Sequence, residues 1–183
     1  INLFAHSSLQ RVYASCVQAV IFLDFDKYGK KSVIDDHGFV TIDYSNGVRA
    51  TFTLNMFCPD FYEELVICGD EGRLLAYEKV DLQQQKSLEA SVSVHRGEEG
   101  ASCTTKLGYP AAIEQSGHHG ATYHEHSAFL DRLEGKIVDS ATPLQGLWAM
   151  IVASAAQESI ATGASIEIAD YIEQHKLAAV LSE

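Results

Sequence analysis

VTIDYSNGVRATFTLNMF, residues 40–57, decides the fold class. Val48, Ala50, Phe52, Leu54 and Met56 alternate with Arg49, Thr51, Thr53 and Asn55, and upstream Val40, Ile42 and Tyr44 alternate with Thr41 and Asp43. Successive strand side chains point to opposite faces, so this period of two predicts two strands, each with one apolar and one polar side. Ser45-Asn46-Gly47 joins them, and Asn-Gly is a strong hairpin signal because both residues tolerate positive φ. Strands joined this tightly run antiparallel.

Working outward, the pattern predicts further strands at 11–18, 65–68, 73–77 and 88–95, with Asp70-Glu71-Gly72 as a second tight turn. What covers their apolar faces comes later in the chain. Thr122 to Glu125 and Thr142 to Gln145 both fit the capping box, in which a Thr side chain and a Glu or Gln three residues on satisfy free helix amides. The first predicts a helix to about Glu134, stopped by Gly135. The second, with Pro143 at its first position and Gly163 beyond its end, predicts a helix through about Thr162 that is apolar around most of its circumference and rich in small residues. A short strand at 165–168 and a terminal helix from about Asp170 complete the pattern. The expected class is α+β: an open, predominantly antiparallel sheet with helices packed on one face, in two layers.

At 183 residues, 46% hydrophobic and 21% charged, residues 9–183 read as one domain, with 1–8 as the tail of a helix that starts further upstream. The formal charge of −12 argues against nucleic acid, which demands a basic patch, and Lys30-Lys31 is the one adjacent basic pair. An anionic membrane surface is disfavoured on the same ground. The longest apolar run, 147–156, is ten residues, about half a membrane span. Cys16, Cys58, Cys68 and Cys103 show no metal or redox spacing. Cys16 and Cys68 lie in apolar runs, where a thiol behaves as a small hydrophobe. A reducing, cytoplasmic setting is the expectation. The opening Ile1-Asn2-Leu3-Phe4, without methionine or polar leader, suggests a fragment or processed product.

GHHGATYHEHSAF, residues 117–129, holds four of the eight histidines. His124 and His126 are two apart in a predicted helix, where residues sharing a face are three or four apart, so they point to different sides. The His-Glu-x-x-His arrangement of metalloproteases is absent, and no metal site is expected. His118 and His119, bracketed by Gly117 and Gly120 in a loop, are candidates for touching a small molecule, because loops on rigid scaffolds often carry binding groups. With Tyr123 at the start of the following helix they form the candidate substrate-binding set. DFDKYGKKSVID, residues 24–35, places Asp24, Asp26, Gly29 and Asp35 at calcium-loop positions 1, 3, 6 and 12. Tyr28 at position 5, Asp35 instead of Glu at position 12 and the lack of flanking helices favour a structural loop. No glycine-rich dinucleotide or P-loop motif and no nucleophile elbow occurs.

Taken together, NGVRATFTLNMF, EELVICGDEGRLLAYE and SAFLDRLEGKIVDSATPLQGLWAMIVASAAQESIATGASIEI resemble the C-terminal domain of the glucose–fructose oxidoreductase, inositol dehydrogenase and MocA superfamily. The resemblance covers about residues 9–168. It lies in a strand after an Asn-Gly turn, a turn before a Gly-x-Leu strand, a Phe-bearing helix, a long small-residue helix with Glu-Ser near its end, and a closing strand. It implies a two-layer fold like the C-terminal domains of glyceraldehyde-3-phosphate dehydrogenase and dihydrodipicolinate reductase. It also implies the substrate-binding and oligomerisation part of an NAD- or NADP-dependent enzyme acting on sugars, cyclitols or related hydroxy compounds. The family's N-terminal Rossmann domain and its Glu-Lys-Pro motif do not occur in this sequence. Of the helix that usually carries the catalytic pair, INLFAHSS alone matches, and His6 is too near the following strand to take that role. This stretch is therefore expected to supply no catalytic residue, bind no cofactor by itself and be inactive alone. In the family the open sheet commonly forms the subunit interface, which implies a homo-oligomer, and the loop before the Phe-bearing helix approaches the active site. By position that loop holds Gly117, His118, His119 and Gly120. A stand-alone, non-catalytic binding or scaffold domain is the alternative.

Overall fold

A computed structural model of the chain describes residues 2–81, 89–97, 100–116 and 118–181. Leu88, in one predicted strand, and Gly117, in the predicted pocket loop, lie outside the described residues. In chain order the elements are α1 (Asn2–Ala5), β1 (Leu9–Val17), β2 (Asp26–Lys27), β3 (Lys30–Lys31), β4 (His37–Tyr44), β5 (Arg49–Asn55), β6 (Asp60–Gly69), β7 (Gly72–Asp81), β8 (Glu89–Arg96) and β9 (Ser102–Leu107). There follow α2 (Ala111–Glu114), a 3-10 turn (His118–Gly120), α3 (Ala121–Leu133), α4 (Pro143–Thr162), β10 (Ile166–Glu167), α5 (Ile168–Gln174) and α6 (Ala178–Leu181). The chain forms two compact units, Ile1–Phe57 with Ala141–Glu183, and Cys58–Ser140. All described strand pairings are antiparallel.

The first unit is a sheet of order β10-β1-β4-β5. Its register sets Val12 beside Ile42 and Ile42 beside Ala50, so the alternation read from the sequence falls on one face. That face meets α4, which packs on β1, and Val12, Ala14, Ile42, Tyr44, Ile151, Ala155, Ala156 and Ile168 make the core. Helix α4 begins as expected. Gln145 N–H donates to Thr142 Oγ1 (3.2 Å), and Thr142 N–H donates to Gln145 Oε1 (2.8 Å). It ends at Gly163, whose φ of 70° is left-handed. The buried positions 151, 155, 156 and 159 form one helical face, and Ala155, fully buried, lets the helix lie close to the sheet.

Two details depart from the expected pattern. In the β4–β5 turn Gly47 alone takes positive φ (88°), while Asn46 works through its side chain, donating to Ala5 O and accepting the Val48 N–H. A three-residue loop ending in a left-handed glycine needs no left-handed asparagine. Phe52, Leu54 and Met56, on the apolar side of β5, are exposed, because α4 lies over β1 and not over this edge strand.

Between β1 and β4, where the sequence suggested a structural loop, β2 and β3 form a small ribbon rooted on Asp36. This aspartate is fully buried. Its Oδ1 accepts the Ala19 N–H at 2.7 Å, and its Oδ2 accepts those of Val20, Ile21 and Phe22 at 3.0, 2.6 and 3.1 Å. Burial alone would raise the carboxyl, but the four backbone donors outweigh it and lower the pKa to about 2.

The second unit is a meander of order β6-β7-β8-β9 followed by α2 and α3. Gly72 sits where a Cβ would run into the His95 carbonyl, which is why the turn ends in glycine. Strand β9, SCTTKL, has no apolar alternation and is exposed throughout, so the hydrophobic pattern does not reveal it. Cys16 is half-buried, with burial pushing its thiol up, but Cys68 is exposed, unlike its expected packing role. It lies near the end of β6, beyond the half-buried Leu65 and Ile67.

Candidate functional site

The candidate residues lie in the second unit, where the chain leaves β9 and turns into α3. Pro110 precedes the single turn of α2, and Ser116 Oγ closes it by donating to Ile113 O (2.6 Å). Three successive residues then take left-handed backbone: His118 (φ 42°), His119 (φ 54°) and Gly120 (φ 99°). Histidine visits this region more often than most side chains, yet two in a row store strain of the kind that clusters at functional positions.

Gly120, buried, is the N-cap of α3, which therefore begins at Ala121. The Thr122–Glu125 capping box is not used: Thr122 already lies within the first turn, and no side chain caps this helix. The glycine is required twice, by its φ and by space, since a Cβ would sit 3.0 Å from Ile113 Cγ2 and 3.3 Å from Ile113 O. Gly120→Ala is expected to cost about 1–3 kcal/mol, read as a lower urea midpoint with an unchanged slope.

The start of α3 fixes which side chains share a face. Thr122, Tyr123, His126, Ser127 and Leu130 line a shallow recess of about 340 Å³, joined by Ser116. The surface of the recess is predominantly apolar, and Ser, Thr, Tyr and His side chains set polar groups into it that can donate to and accept from a ligand. Such an arrangement binds and orients. Of the candidate set, Tyr123 alone lines this recess. His119 packs its ring against Phe61 (centroids 5.0 Å apart), and His118 is exposed beside it. His124 packs between Tyr109 (4.8 Å) and Tyr123 (5.4 Å). His126, Thr122 and Ser127 had escaped the sequence reading, although positions 122, 123, 126, 127 and 130 share one face at helical spacing. Among the described residues no group of three or more His, Cys, Asp or Glu is placed to hold a metal. No described helix is long and apolar enough to cross a membrane.

The residues do not fit a dinucleotide. The Gln145 amide at the start of α4 is taken by Thr142 Oγ1, and α3 follows a 3-10 turn, not the strand and glycine-rich loop that cradle a pyrophosphate.

Residues 8–168 match the family described as "Oxidoreductase family, C-terminal alpha/beta domain". The chain belongs to this glucose–fructose oxidoreductase, inositol dehydrogenase and MocA family. Solved structures share the fold at low identity. Levoglucosan dehydrogenase in complex with NADH and levoglucosan is 17% identical, with a TM-score of 0.57, over 87% of this chain and 44% of its own. An oxidoreductase from Agrobacterium radiobacter in complex with NAD+, L-tartaric acid and magnesium is 14% identical, with a TM-score of 0.53, over 92% and 46%. The super-repressor mutant of Gal80p from Saccharomyces cerevisiae is 12% identical, with a TM-score of 0.61, over 93% and 47%. The chain thus spans less than half the length of each. Among curated proteins, none matches it in sequence.

Proposed function

We propose that this chain is the substrate-binding and oligomerisation domain of an NAD- or NADP-dependent oxidoreductase acting on a sugar, cyclitol or related hydroxy compound. The family match over residues 8–168 carries this reading, and the recess on α3, an apolar surface with hydroxyl, phenol and imidazole groups set into it, supports it. Residues 9–183 act as one functional domain of a cytoplasmic enzyme whose nucleotide-binding part lies outside this sequence. That part binds the cofactor, which supplies the hydride chemistry. The residues here hold the substrate: Tyr123 and the recess contact its hydroxyls, and His118 and His119 form the rim. The catalytic group is not among them.

The outer face of the β10-β1-β4-β5 sheet is the proposed homo-oligomer interface. Tyr13, Thr41 and Thr51 form one row on it, and Ser15, Phe39 and Thr53 the next. Tyr13 and Phe39 are exposed, which suits an interface of mixed character. The named repressor with this fold keeps the alternative of a non-catalytic binding domain in view.

Cofactor-linked assays of the intact protein on sugars and polyols separate the two readings. His118→Ala and His119→Ala are expected to raise the KM for the hydroxy substrate or lower kcat several-fold. Wild-type kinetics in both would remove the rim from the site, and no cofactor reduction with any such substrate would favour the binding domain.

A further inference from the structure

The ribbon between β1 and β4 has no part in that reading, yet it is built as an arm. At its root Asp36 clamps four consecutive backbone amides, so the base is fixed. Along its flanks Val20, Leu23, Phe25, Val33 and Ile34 are exposed. At its tip Asp26 pairs with Lys31 and Lys27 with Lys30, and Tyr28 and Gly29 make the turn with φ of 58° and 74°. Positive φ is a true outlier for a bulky residue, and Tyr28 gains no internal packing from it, since the residue is 92% exposed. The Lys27 ammonium lies 5.6 Å from its ring centroid. A tyrosine displayed at a backbone cost, with three lysines around it, forms a basic aromatic tip in a chain of net charge −12. Tyrosines of this kind anchor interfaces.

Its chemical complement is in the same chain. One face of the β6-β7-β8-β9 sheet carries a recess of about 330 Å³. The strand register puts Glu63, Leu65, Ala76, Glu78, Val92 and Leu107 on that face, and Glu64 joins the lining. The carboxylates of Glu63 and Glu78 flank an apolar floor, and no basic residue is among the described residues lining it; the Glu64 carboxylate lies on the opposite face, where it accepts the Tyr62 hydroxyl at 3.0 Å.

We propose that the arm docks in trans: the Tyr28 tip of one copy enters the acidic recess of a second copy, with Lys27, Lys30 and Lys31 facing Glu63 and Glu78. Both surfaces belong to one chain, so every copy carries an arm and a recess. The opposite charges set the register and exclude tip-to-tip pairing. This contact is separate from the sheet-face interface and does not depend on the proposed reaction.

The test is charge exchange in the intact protein, followed by sedimentation. The variants K27E/K30E/K31E and E63K/E78K are each expected to weaken association roughly 100-fold and lower the assembled mass, with unchanged circular dichroism. Mixing the two restores the mass, because each arm then meets a recess of opposite charge on the other copy. A photo-crosslinking residue in place of Tyr28 supplies the second readout. In a mixture of isotopically light and heavy protein it is expected to join residues 63–78 or 107–109 of a different copy. Unchanged mass in both variants, no rescue on mixing, or crosslinks confined to a single copy or to another protein would overturn the proposal.

Discussion

Asp36→Asn is expected to lower the melting temperature by roughly 5–10 °C, taking the usual penalty for orphaned buried donors and the usual conversion to Tm for a chain of this size. The wild-type carboxylate accepts four backbone N–H groups from residues 19–22. An asparagine offers one acceptor oxygen and sets an amide N–H2 against the remaining donors, so at least one of these part-buried amides loses its partner. The same carboxylate sets an acid limit. Its folded pKa, about 2, is below the ordinary 3.8, so its contribution is fully present above about pH 4–5 and is lost as pH falls through 3.8 toward 2. Thermal melts of both proteins from pH 7 to pH 2 check this: their difference is expected to shrink across that window. A constant difference would mean that the carboxylate's charge is not what holds the loop.

Ser159→Ala is expected to cost about 2–4 kcal/mol, measured by urea unfolding. Ser159 is fully buried. Its Oγ accepts the Ala14 N–H at 2.9 Å and donates to Ala164 O at 2.6 Å. Strand β10 pairs with β1 only at Arg11 and Val12, so the serine hydroxyl takes over where that ladder stops. Removing it leaves the buried Ala14 N–H unpaired and the part-buried Ala164 carbonyl without its donor. This residue also ties three elements together, since one oxygen joins β1, α4 and the turn after Gly163. A midpoint within 0.5 kcal/mol of wild type would contradict this role.

These two positions also mark how far the sequence could be read. Helix α4 was legible to the residue because its signals are local: the Thr142 box, Pro143 and Gly163 all act within a turn of its ends. The β4–β5 hairpin was legible from alternation and Asn-Gly, although the glycine alone is left-handed. Asp36 was not legible, because its four partners lie 14–17 residues away and nothing local marks a buried carboxylate. Ser159 was read as a helix residue of small size, but its bond to β1 spans 145 residues. At the candidate site, the Thr122 box pointed to a helix beginning after Thr122. The left-handed run from His118 to Gly120 starts it at Ala121 instead, and that leaves Thr122, His126 and Ser127 with Tyr123 on the recess. The histidine pair drew attention by composition, while backbone geometry put a different histidine in the recess.

The most direct test of the proposed function is steady-state kinetics of the intact protein carrying Tyr123→Phe and His126→Ala together. Loss of these two polar contacts is expected to raise KM for the hydroxy substrate about tenfold or more, with KM for the nicotinamide cofactor unchanged. An unchanged substrate KM, or a loss confined to cofactor binding, would contradict a substrate-binding role for this recess.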